Sequence, residues 1–146
     1  MGEYTYSLSF FIEHSDADLS GVSDTLGLKA ARLWRKGEAR TTPKGGALNG
    51  TYKKSSWSAE LGSHQKDLPT GLKSALATLQ PHQEYLAKLV ADGAKLRFFV
   101  GWFSGFNSRD VLDWQLLQDI AALKISLDLD IYGPDPVEVS ELKSNP

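Results

Sequence analysis

Lys95-Leu96-Arg97-Phe98-Phe99-Val100-Gly101-Trp102-Phe103 is the segment on which the fold turns. It is far shorter than the roughly twenty apolar residues a membrane helix needs. Its aromatic and β-branched content favours a strand. Leu96, Phe98 and Val100 alternate with Arg97, Phe99 and Gly101, yet Phe99 and Phe103 keep the second face apolar too. A strand greasy on both faces is expected in the centre of a sheet covered twice, or at an oligomer surface.

Downstream, Gly105 to Ser108 reads as a loop and Asp110 as the start of a helix. Leu112, Leu116, Ile120 and Leu123 line that helix, with Trp114 and Leu117 broadening its apolar face. Ser126–Tyr132 reads as a strand with Leu127, Leu129 and Ile131 inward and Asp128, Asp130 and Tyr132 outward. Gly133-Pro134-Asp135-Pro136 ends regular structure, because proline cannot donate to a ladder. Residues 134–146 are an acidic tail.

Upstream, Leu68-Pro69 opens a helix with Leu72, Ala75, Leu76 and Leu79 as its stripe. Pro81 breaks or kinks it, and Tyr85, Leu86, Leu89 and Val90 continue to Gly93. Ser55–Leu61 is a strand pointing Trp57, Ala59 and Leu61 one way. Tyr4 to Ile12 alternates Tyr4, Tyr6, Leu8, Phe10 and Ile12 on one face. Ser15 or Asp16 can cap a short helix through Leu19, Val22 and Leu26 that stops at Gly27. Residues 28–54 have no helical period. Arg35-Lys36-Gly37-Glu38 reads as a turn, and Asn49-Gly50 as the strongest hairpin signal. The predicted fold is therefore α+β: a mostly antiparallel sheet of about four to five strands, with three to four helices packed mainly on one face. Residues 4–133 are expected to form one domain.

The 146 residues are 41% hydrophobic, contain no cysteine and carry a formal net charge of −2. A core without disulfides is feasible, and thiol catalysis, Cys-based zinc sites and iron–sulfur clusters are excluded. The N-terminus has neither a basic n-region nor a long apolar stretch, so the expectation is a soluble cytoplasmic protein without membrane contact. The charge is uneven. Lys29, Arg32, Arg35, Lys36, Arg40, Lys44, Lys53 and Lys54 lie within 26 positions against one acid, Glu38, and are half of the sixteen Lys and Arg. Trp34 and Tyr52 are interleaved, and Trp57 follows closely. Arginine beside tryptophan and tyrosine marks protein interfaces; the same mixture can stack bases and hold phosphates. A chain of net negative charge lacks the global field of nonspecific nucleic-acid binders, which places a protein partner first.

Catalytic signatures do not assemble. Gly101-Trp102-Phe103-Ser104-Gly105 has the wrong spacing for a nucleophile elbow, and Gly45-Gly46…Gly50 lacks the Lys-Ser/Thr of a phosphate loop. His14, His64 and His82 are scattered. Asp128 and Asp130 share a strand face but have no third ligand, and pairing Asp130 with Glu60 for acid/base work would need burial.

Gly27-Leu28-Lys29-Ala30-Ala31-Arg32-Leu33-Trp34-Arg35-Lys36-Gly37-Glu38, then Trp57-Ser58-Ala59-Glu60, then Leu129-Asp130-Ile131-Tyr132, resemble the bacterial "domain of unknown function 4279" family across residues 4 to 133. The resemblance implies the same element order and brings no activity or catalytic residues. Some small bacterial families of this kind are immunity proteins against toxins. The expectation is a non-enzymatic binding module, of immunity type, with Trp34, Arg35, Lys36, Arg40, Tyr52 and Trp57 as the binding set. Nucleic-acid or phosphate-ligand binding through 29–54 is the alternative, and a hydrolase using Asp128, Asp130 and Glu60 the third. No cofactor or metal is expected, and the oligomeric state stays open.

Overall fold

Alternation in the first strand sets the layering. A computed structural model describes residues 3–133; the acidic tail 134–146 lies outside the described residues. In chain order the elements are β1 (Thr5–His14), α1 (Val22–Leu26), β2 (Arg32–Trp34), β3 (Ala39–Thr41), β4 (Ala47–Thr51), β5 (Ser55–Glu60), α2 (Leu68–Leu79), α3 (Gln83–Ala91), β6 (Lys95–Phe103), α4 (Trp114–Ala122) and β7 (Ile125–Tyr132). Five strands form one sheet in the order β2-β5-β1-β6-β7, and β3 pairs with β4 as a separate ribbon. All pairings are antiparallel except β6 with β7, which α4 connects as a parallel crossover.

Leu8, Phe10 and Ile12 of β1 sit beside Leu96, Phe98 and Val100 of β6 in the ladder, and all six are buried. One core cluster joins them to Trp57 and Ala59 of β5, to Val22 and Leu26 of α1, and to Leu72, Leu76 and Leu79 of α2. Leu86 of α3 and Leu116 and Ile120 of α4 complete it. The helices thus cover the face carried by the even-numbered residues of β1. Pro81 divides the helical middle as expected: a 3₁₀ turn at Gln80–His82 separates α2 from α3.

Several local expectations are corrected. Ser15 and Asp16 cap nothing. The backbone N–H groups of Asp16 and Ala17 instead donate to Nδ1 of the buried His14, at 3.1 and 2.9 Å. The helix begins later, at Gly21, without a side-chain cap. Asn49-Gly50 is not the hairpin turn. The reversal lies at Thr42–Gly46, closed by the Thr42 and Gly46 backbones and the Thr42 hydroxyl. Gly50, with φ 84°, falls within β4 where the register to β3 shifts, so the positive φ serves a bulge. The last helix starts at Asp113, not Asp110: the Asp113 carboxylate accepts from Leu116 N at 2.8 Å. We expect Asp113→Ala to lower unfolding free energy by about 1 kcal/mol in urea titration, the usual value of such a cap.

Two apolar faces are less covered than the pattern implies. The outer face of β6 has no second helix layer among the described residues; Phe99 is half-buried and Phe103 exposed. On β7, Leu127 packs against the core but Leu129 and Ile131 are 52% and 66% exposed, and Trp114 and Leu117 at the start of α4 are exposed as well. Short α4 packs through Leu116 and Ile120, and the preceding loop meets the end of β7 at Ser104 N–Tyr132 O, 3.3 Å, without covering Leu129 and Ile131.

Candidate functional site

The cationic segment is built on an edge. α1 ends at Gly27 in the left-handed region (φ 68°), and the chain turns into β2. β2 pairs with β5 through Arg32↔Ser58, Leu33↔Trp57 and Trp34↔Ser56. Cross-strand partners share a face, so Arg32 and Trp34 lie on the helix-free side with Ser56 and Ser58. Gly37, φ 91°, then permits the turn from Arg35 to Glu38 into the β3–β4 ribbon.

Tyr52, just after β4, ties ribbon to sheet. Its ring stacks on Trp34 at 4.3 Å and 9°. Its hydroxyl accepts from Thr41 N and from Arg32 Nη2, each at 3.1 Å, and also lies 3.1 Å from Thr41 O. Those Thr41 hydrogen bonds first, and the Arg32 charge after them, hold the phenol below its ordinary value of 10.0. The Arg32 guanidinium carbon sits 4.7 Å from the Trp34 ring centroid, and Nη2 donates to Thr41 O at 2.8 Å.

A shallow hollow of about 380 Å³ results, lined by Trp34, Arg40, Thr51, Tyr52, Lys53 and Lys54. It brings together three of the six residues in the sequence-derived set: Trp34, Arg40 and Tyr52. Arg35 and Lys36 stand apart. Arg35 Nε donates to Asp16 O at 3.2 Å, turning the side chain toward the loop after β1, and Lys36 is exposed on the turn. Trp57 is a core residue at 0% exposure, with Nε1 donating to Ser23 Oγ at 2.9 Å; it supports β2 from within and presents no surface. Thr51, Lys53 and Lys54 also line the hollow; the two lysines belong to the cationic cluster but not to the sequence-derived binding set, and Thr51 carried no sequence signal.

Among the described residues, Lys54 is the only one of the eight cations between Lys29 and Lys54 that forms an ion pair. Lys54 Nζ lies 2.6 Å from Glu13 Oε2. Glu13 Oε1 also holds Arg97 Nη1, and Arg97 Nε is 3.2 Å from Asp128 Oδ2 without hydrogen-bond alignment. The row Lys54–Glu13–Arg97–Asp128 therefore crosses the open face from β5 to β7. Arg32 and Arg40, by contrast, bond only carbonyl or hydroxyl oxygens, which leaves their charge uncompensated.

The carboxylates of the hydrolase alternative do not converge. Glu60 shares a register row with Ser9, Phe99 and Asp128, so three strand spacings, ~14 Å, separate it from Asp128. Asp128 faces Arg97, and Asp130 accepts from Tyr132 Oη at 2.6 Å. No cluster of three His, Asp or Glu able to hold a metal ion occurs among the described residues. No helix there is long and apolar enough to cross a membrane.

A family model described as Domain of unknown function (DUF4279) matches residues 3–134. No curated protein matches the chain, and no solved structure does.

Proposed function

This chain belongs to the DUF4279 family, and from that starting point we propose that it is a non-enzymatic binding module of the cytoplasm whose cationic ribbon docks an acidic protein. The observation that carries the reading is the hollow over Trp34 and Tyr52. Its rim cations Arg40 and Lys53 have no carboxylate partner among the described residues, and its floor is held by the hydrogen bonds of Tyr52. Aromatic floor and unpaired cationic rim together make a hot-spot geometry for acidic side chains. An immunity-type role, with a toxin as partner, is the specific form of this reading, and it requires a tight stoichiometric complex.

Nucleic-acid binding fits less well. Trp34 and Tyr52 each direct one ring face at the other, and Arg32 lies close to the indole. That reduces the free π-surface on which bases stack.

The test compares partner capture from nuclease-treated native lysate by the wild-type chain, by Arg40→Glu/Lys53→Glu and by Arg35→Glu/Lys36→Glu. We expect the Arg40/Lys53 pair to abolish capture of a defined acidic protein with unchanged circular dichroism, and the Arg35/Lys36 pair to weaken it less. Equal capture by all three proteins overturns the reading. Tight binding of a single-stranded oligonucleotide, lost steeply with salt, would favour the alternative.

A further inference from the structure

A second concavity lies at the other end of the sheet, remote from the ribbon. It is a cleft of about 930 Å³ between β7 and the loop that links β6 to α4. That volume falls within the range of small-molecule sites. Leu129 and Ile131 of β7 form one wall, and Phe106, 79% exposed, belongs to the loop side. Trp102 lines the cleft and is fixed on both sides: its ring stacks on Tyr4 at 3.7 Å and 16°, and its Nε1 donates to Ser108 Oγ at 2.9 Å. Large apolar side chains are thus left facing solvent around a rigid indole.

Among the described residues, the polar side chains of the cleft are matched internally except those of Asn107, which is uncharged, and Arg109. Asp110 Oδ2 accepts from Tyr4 Oη, and Oδ1 from Val111 N at 2.8 Å. Tyr4 also accepts from Leu68 N at 2.9 Å. Burial first, and the Asp110 hydrogen bond and charge after it, push the Tyr4 phenol up to about 12, so it remains a neutral donor to Asp110. Ser104 Oγ lies 2.6 Å from Phe106 O and holds the loop. Of the two charged residues that line the cleft, Asp110 is therefore engaged at both oxygens. Arg109 takes part in no ion pair and no side-chain hydrogen bond among the described residues. An apolar trough with one unmatched guanidinium selects a ligand of complementary kind: an apolar body with a single anionic head.

We propose that this cleft binds a small apolar monocarboxylate, with Arg109 pairing the carboxylate and Leu129, Ile131 and Phe106 covering the hydrocarbon. A planar guanidinium suits the two oxygens of a carboxylate, and the apolar walls offer the hydrocarbon a surface to cover. The ribbon plays no part, so failure here and failure of the docking role are separable.

Octanoate is the probe, titrated into the full-length ¹⁵N-labelled chain while the Trp102 indole N–H signal is followed. A saturable shift is expected. Arg109→Gln, on an exposed loop, is expected to weaken binding about tenfold, and octanol in place of octanoate to show a similar loss, since each removes one charge-assisted pair. Ile131→Asn, at an exposed position, should weaken octanoate and octanol alike. Arg40→Glu/Lys53→Glu should bind octanoate unchanged. Octanol binding as tightly as octanoate, or Arg109→Gln without effect, overturns the assignment. So do two other results: contacts from Ile131 protons to residues 134–146 that octanoate cannot displace, or concentration-dependent shifts at Leu129 and Ile131 that mark a second copy in the cleft.

Discussion

Trp57→Ala is expected to lower unfolding free energy by about 3–5 kcal/mol, the loss typical of deleting a large buried aromatic. Trp57 is fully buried on β5, meets Phe10 edge-on at 6.2 Å, and donates its indole N–H to Ser23 in the first turn of α1. Removing it opens a cavity beneath β2 and leaves the Ser23 hydroxyl without that partner. A natural domain has only about 5–15 kcal/mol in hand, so the variant should unfold at markedly lower urea. Trp57→Phe retains much of the volume and should cost less, chiefly the hydrogen bond. Urea titrations of both variants check this. A Trp57→Ala loss below about 1 kcal/mol, within the range of surface substitutions, would contradict the core role. Trp57→Phe should also leave partner capture intact, which separates a supporting residue from a contact residue.

Gly62→Ala is the second large effect, expected at about 2–5 kcal/mol. Gly62 has φ 78°, a conformation that costs an L-residue about 1–2 kcal/mol. A Cβ there would stand 2.2 Å from the Gly71 carbonyl oxygen and 3.2 Å from Leu8. The clash is with α2 backbone, which has no rotamer to change, and overpacking of this sort adds about 1–3 kcal/mol. Tyr6 Oη seals the same seam, lying 2.9 Å from both Gly62 O and Gln65 O. Gly105→Ala, where a Cβ meets nothing within 4 Å, should stay within about 0.5 kcal/mol of wild type. Thermal or urea unfolding of the two variants side by side checks the contrast; equal stability would mean the loop and α2 can part without loss.

The sheet was largely legible because its signals are periodic and local. Leu8-x-Phe10-x-Ile12 and Leu96-x-Phe98-x-Val100 alternate in sequence and face the core in the fold. Pro81 marked its break without any tertiary information. What was not legible depended on contacts between distant residues. Asp110 reads as a helix cap, but Tyr4, more than a hundred residues earlier, takes its carboxylate, and Asp113 caps instead. Asn49-Gly50 matches a turn, but Thr42 and Gly46 close a better one and the pair becomes a bulge. Leu129 and Ile131 follow the inward alternation perfectly well; pattern alone cannot reveal that both stay more than half exposed. For the candidate site, composition located the cationic edge and the Trp34–Tyr52 pair. It could not separate Trp34, on the open side, from Trp57, one layer inside, because that depends on the register of β2 against β5. Arg109 escaped notice because a lone arginine in a loop becomes distinctive only beside a carboxylate already engaged by other groups.

β1 lies at the middle of the sheet, and Thr5 of this first strand pairs with Phe103. On a ribosome adding roughly 5–20 residues per second, the opening strand has left the catalytic centre for several seconds before its principal neighbour exists. Pairing with β5 can come sooner, but Leu8, Phe10 and Ile12 then wait on an incomplete platform. A nascent chain of this design presents a sticky, half-paired ribbon to its surroundings until β6 is synthesised. Its yield in the cell should therefore respond to chaperone supply and translation speed more than the finished protein's stability would suggest.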